Sequence, residues 1–62
     1  MKRLFFTVNT GYDGTINVSS FGGQTERQER RFARCFARKI HLVTTDFDLA
    51  QQERRRIEEE AT

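Results

Sequence analysis

From Thr25 to Ile40 the chain reads TERQERRFARCFARKI, and no other stretch restricts the fold as strongly. Wound at about 100° per residue, it has two chemically different sides. Phe32, Phe36 and Ile40 recur every fourth residue, with Ala33 beside them. Arg27, Arg31, Arg34 and Arg38 fall on the opposite side, within about 60° of one another. The pattern predicts an amphipathic main helix over 25–40, its rings packed in a core and its arginines facing out. Thr25 is the expected N-cap, and Gln28 three residues later completes a capping-box spacing. Glu26 and Glu29 put negative charge in the first turn, and Arg38 and Lys39 put positive charge near the end, both favourable to the helix dipole.

Such a helix needs a surface to cover, and the preceding residues predict one. In the segment from Lys2 to Asn9, Leu4, Phe6 and Val8 share one face of a strand, while Phe5 and Thr7 share the other. Thr10-Gly11-Tyr12-Asp13-Gly14 is a turn signal, with Gly14 supplying the positive φ of a short connection. Thr15 to Phe21 reads as a second strand, with Ile16 and Val18 on one side. Residues 1–21 are therefore expected to form a β-hairpin, and Gly22-Gly23 ends it.

After Ile40 two readings remain. Ile40 to Thr45 is β-branched and suits a third strand, with His41 to Thr45 as its body; the same residues also suit a last helical turn and a linker. A C-terminal helix is expected over 46–60, opened by a Thr45-x-x-Asp48 cap, with Phe47, Ala50, Arg54 and Ile57 on one side. The fold class is thus α+β: a hairpin packed against an amphipathic helix, then a short strand or linker and a second helix, ββαβα or ββαα. A third strand would return beside the first.

Sixty-two residues make a single small domain, 1–62. One cysteine excludes an internal disulfide, and no Cys/His cluster offers a structural metal. A chain this short buries only about 60% of its unfolded surface, so a homodimer is expected to supply further burial. Neither a P-loop nor a G-x-G-x-x-G motif is present, and no pair of carboxylates is placed for acid–base chemistry. His41 stands alone, without a catalytic partner. Cys35 is expected to be a half-buried small residue between the two faces. These features predict a protein without enzymatic activity, cofactor, metal or small-molecule substrate. The apolar run near the start stops at Phe6, too short for a signal peptide or a membrane span, so a cytoplasmic location is expected.

Charge is distributed unevenly. Eight Lys/Arg stand against Asp13, Glu26 and Glu29 up to Ile40, whereas three arginines stand against six acids after it. Like charges at i,i+4 along the main helix cost a few tenths of a kcal/mol each, so the arginine row is unfavourable by about 1 kcal/mol unless something answers it. The reading that follows is a binding protein that docks on another protein, as an inhibitor, adaptor or modulator. Small accessory proteins of phage share that make-up. The residues expected to make contact are Arg27, Arg31, Arg34 and Arg38, with Lys39 at the margin and exposed rings such as Phe5 and Tyr12. Two alternatives use the same face: a nucleic-acid-binding regulator, and a structural homo-oligomer in which the arginines meet the acidic C-terminal helix of another copy.

Overall fold

A computed structural model describes residues 4–61. The elements run β1 (Phe6–Thr10), β2 (Ile16–Ser19), α1 (Glu26–Ala33), β3 (Lys39–Thr44) and α2 (Phe47–Ala61). This is an α+β fold in the order ββαβα, and the segment after residue 40 is a strand, not a linker. The expected first strand is shorter at its N-terminal side; Lys2 and Arg3 lie outside the described residues.

The hairpin is set by its turn. Gly14 takes φ +87°, its N–H donates to the Gly11 carbonyl at 3.0 Å, and the Gly11 N–H donates to the Thr15 carbonyl at 2.9 Å. Asp13 Oδ1 accepts from the Thr15 hydroxyl at 2.7 Å and from the Thr15 N–H at 3.1 Å. These bonds hold the Asp13 carboxyl below its ordinary range, the hydroxyl contributing most. The ladder then pairs Thr10 with Ile16, Asn9 with Asn17, Val8 with Val18 and Thr7 with Ser19. The second strand stops at Ser19, so Phe21 belongs to the crossover loop.

The third strand returns beside the first, giving the order β2-β1-β3 with both neighbours antiparallel to β1. Between the pairs Val8–Leu42 and Asn9–Ile40 the register slips, leaving His41 as the extra residue of a bulge. His41 Nε2 lies 2.7 Å from the Thr10 hydroxyl.

The two helices take opposite faces of this sheet. Strand neighbours alternate in direction. Phe6 meets Phe47 of α2 edge-on at 5.1 Å, whereas the next residue, Thr7, hydrogen-bonds Glu29 of α1. α2 packs across all three strands; α1 touches only β1 and β3 and does not touch α2. Asp46 caps α2, its Oδ1 accepting from the Leu49 N–H at 3.2 Å, so the cap is one residue later than the expected Thr45. Along α2, Arg56 bonds Glu53 and Glu60, and Arg54 lies 3.7 Å from Glu58.

The main helix is shorter than the periodicity implies. It ends at Ala33, not Ile40. Beyond it two bonds tighten to i→i+3, Cys35 N–H donating to the Phe32 carbonyl and Phe36 N–H to the Ala33 carbonyl, before the Ala37 N–H closes on the Ala33 carbonyl at 2.9 Å. The Arg38 N–H then donates to the Thr10 carbonyl at 2.8 Å, which draws the chain into β3. Arg38 and Lys39 therefore lie past the helix, at the bend and the first residue of the strand.

Phe32 and Phe36 do not form the core. Ala33 and Ala37 are buried in their place, while Phe32 is 36% and Phe36 67% exposed. The inward direction of α1 lies between Glu29 and Ala33, and Phe32 projects about 80° round from it. Phe36 instead stacks on Phe21, centroids 5.5 Å apart and rings within 4° of parallel. What draws Glu29 inward decides this rotation.

Candidate macromolecular interface

Glu29 is completely buried, yet its carboxylate is fully engaged. Oε2 accepts from the Thr7 hydroxyl at 2.8 Å and from the Phe21 N–H at 2.9 Å; Oε1 accepts from the Gly23 N–H at 2.8 Å. A buried carboxylate is tolerated only with such a set of donors. One side chain thus ties the central strand, the crossover loop and the helix together. Gly23 makes the approach possible: a Cβ there would lie 2.4 Å from the Glu29 nitrogen and 2.5 Å from its Cα. Beneath the helix the sheet carries two buried polar residues, Thr7 and Asn9, beside their cross-strand partners Val43 and Ile40, with Asn9 Nδ2 donating to the Thr7 carbonyl at 3.1 Å. From sequence, Glu29 was legible only as a first-turn acid, because nothing in its spacing distinguishes it from Glu26.

With Glu29 and Ala33 inward, the arginines face solvent. Thr25 caps the helix as expected, its hydroxyl accepting from the Gln28 N–H at 3.1 Å. The Gln28 side chain closes on the Gln24 N–H at 2.8 Å. Arg27, Arg30, Arg31 and Arg34 line one open groove of about 380 Å³. A second groove of about 220 Å³ shares Arg30 and Arg34 and continues past Ala37 to Arg38 and Ile40. The two form one cationic track of five arginines. Arg30 pairs with Glu26 at 3.4 Å. Among the described residues, no carboxylate lies within ion-pair reach of Arg27, Arg31, Arg34 or Arg38.

The rings divide. Tyr12 is 72% exposed in the hairpin turn, at the end of the sheet where the Arg38 N–H meets Thr10. Phe5 is half-buried at the other end of β1, about 17 Å away along the strand. Tyr12 therefore lies near the Arg38 end of the arginine track, and Phe5 lies toward the other end of β1. Phe32 and Phe36, expected inside, are the rings that α1 and its last turn expose beside the arginines. Lys39 is exposed next to Arg38. Cys35 is exposed rather than half-buried, its Sγ 3.9 Å from the Arg31 carbonyl.

Among the described residues no cluster of His, Cys, Asp and Glu could hold a metal, and no helix is long and apolar enough to cross a membrane. No protein-family profile matches the chain, and neither a curated protein nor a solved structure matches it.

Proposed function

We propose that this is a non-catalytic binding protein that docks through the α1 arginine track on an acidic surface of another protein, as an inhibitor, adaptor or modulator. The observation that carries the reading is the set of guanidinium groups on Arg27, Arg31, Arg34 and Arg38, exposed together and answered by no carboxylate of the described chain. Four like charges held on one surface repel one another, and an external anion relieves that repulsion. Exposed Phe32 and Phe36 beside them add burial, and Arg with aromatic rings is the composition of protein-interface hot spots. The acidic C-terminal helix is a poorer partner for the track, because Arg54 and Arg56 already engage Glu58, Glu53 and Glu60. The protein is expected to work as a homodimer in the cytoplasm.

Fluorescence titrations against a labelled Asp/Glu-rich peptide and against labelled single- and double-stranded DNA test this reading. Binding of the peptide, abolished by Arg31→Glu/Arg34→Glu, is the expected result. DNA binding that falls steeply between about 50 and 200 mM salt, with no peptide binding, would replace it with the nucleic-acid reading.

A further inference from the structure

The outer edge of β2 is open in an unusual way. Native sheets blunt their edges with charges, prolines, bulges or covering elements. The opposite edge has two such devices: β3 begins at Lys39 and carries the His41 bulge. Residues 15–20, Thr-Ile-Asn-Val-Ser-Ser, contain neither charge nor proline, the β1–β2 register is unbroken, and α1 does not reach β2. Among the described residues, brevity is the one such device on this edge.

The turn fixes which groups point outward. The Gly11 N–H donates to the Thr15 carbonyl, so this is a hydrogen-bonded pair, and such pairs alternate along an antiparallel ladder. Asn17 and Ser19 therefore spend their backbone groups on β1. The N–H and C=O groups of Ile16 and Val18 face the free edge. Among the described residues nothing pairs with them.

We propose that a second copy of this chain occupies that edge, the two β2 strands pairing antiparallel about a two-fold axis at Asn17 to give a continuous six-stranded sheet. Ile16 of each copy pairs with Val18 of the other, through four backbone hydrogen bonds, and the two Asn17 side chains lie opposite each other. Asn17 is exposed, and among the described residues its amide bonds only to Thr15 of its own hairpin. The axis stands normal to the sheet, so both α1 helices lie on one face and both α2 helices on the other. The two arginine tracks then point the same way, and an acidic partner with two sites is bound bivalently. This placement rests on the homodimer part of the proposed function and not on the identity of what the arginines bind.

Sedimentation velocity from low micromolar to near-millimolar protein tests it with Asn17→Lys and Asn17→Asp. Like charges directly opposite each other disfavour pairing, and opposite charges favour it. Each variant alone should lower the dimer fraction several-fold while keeping the wild-type far-UV CD spectrum, and an equimolar mixture should recover it. In the wild-type protein, amide exchange at Ile16 and Val18 should slow as concentration rises, with Asn17 and Ser19 protected throughout. That second measurement needs no variant to fold. Arg31→Glu/Arg34→Glu should dimerise like wild type, so loss of partner binding there and loss of the dimer here are separate results. A wild-type protein that stays monomeric, a dimer untouched by either Asn17 charge, or a mixture that does not recover would each overturn the proposal.

Discussion

Removing the Glu29 carboxylate should cost more stability than any other single side-chain truncation of α1. In Glu29→Ala, three donors lose their acceptor: the Gly23 and Phe21 N–H groups and the Thr7 hydroxyl. A buried donor left unsatisfied costs about 1–3 kcal/mol, and a hydrogen bond to a charged group contributes about 1.5–3. The Thr7 hydroxyl can turn to another acceptor and the half-buried Phe21 N–H can recruit water, so the sum lies near the lower end, about 3–5 kcal/mol. A chain of this length has roughly 3–9 kcal/mol in total, so most of its stability is at stake. Glu29→Gln separates donor satisfaction from shape. Its one carbonyl oxygen can serve Thr7 and Phe21 or Gly23, but its NH₂ then faces a backbone N–H. One opposed donor pair remains in either orientation, at a cost of about 1–3 kcal/mol. Urea unfolding followed by far-UV CD, fitted with a shared m value, reads both differences directly. The reasoning fails if Glu29→Ala lies within about 0.5 kcal/mol of wild type, the usual range for an ordinary surface change. It fails equally if Gln and Ala substitutions cost the same.

Other expectations follow from the same contacts. Gly23→Ala should destabilise by several kcal/mol, or about as much as Glu29→Ala, because the added Cβ falls on backbone atoms of Glu29; urea midpoints check it. Phe36→Ser should cost less than about 1 kcal/mol in the same assay, since the ring is largely exposed, but should weaken partner binding at least several-fold. His41 is held below its ordinary value, chiefly by desolvation and next by Lys39, with Glu53 opposing. The folded chain therefore binds this proton less readily than the unfolded one. The resulting stability is complete above pH about 6.5 and is lost as pH falls from there through the lowered folded value. His41→Gln should flatten that part of a plot of stability against pH, and an unchanged slope would refute the assignment.

Much of the fold was legible because local signals agreed. Asp13-Gly14 fixed the hairpin turn, Thr25 and Gln28 marked the start of α1, and the β-branched run after Ile40 became the third strand beside the first. The misreadings share a cause. A helical wheel assigns the largest apolar side chains to the inside, which placed Phe32 and Phe36 in the core. The structure turns α1 so that Glu29 and Ala33 face a mixed sheet surface, Thr7 and Asn9 beside Val43, with Ala37 buried just beyond the helix. Small residues permit close approach there, and the carboxylate meets donors from a strand and a loop distant in sequence. No periodicity carries that information. The helix length was overestimated for a related reason: the Arg38 N–H finds its acceptor on Thr10, a long-range bond that ends the helix before its apolar repeat ends. The Arg27–Arg31–Arg34 part of the arginine track was legible because it depends on helical spacing; Arg38 joins it from the bend beyond α1. Its extension by Arg30 required the third dimension.

Affinity capture from nuclease-treated lysate, quantified by mass spectrometry, tests the docking surface most directly. Native protein, Arg31→Glu/Arg34→Glu and Leu49→Ala, a change to an exposed residue of α2 on the opposite side of the sheet, would be compared as baits. A discrete acidic protein retained by the native and Leu49→Ala baits and lost from the charge-reversed one is the predicted result. The same proteins recovered on all three baits would contradict the assignment of the arginine face.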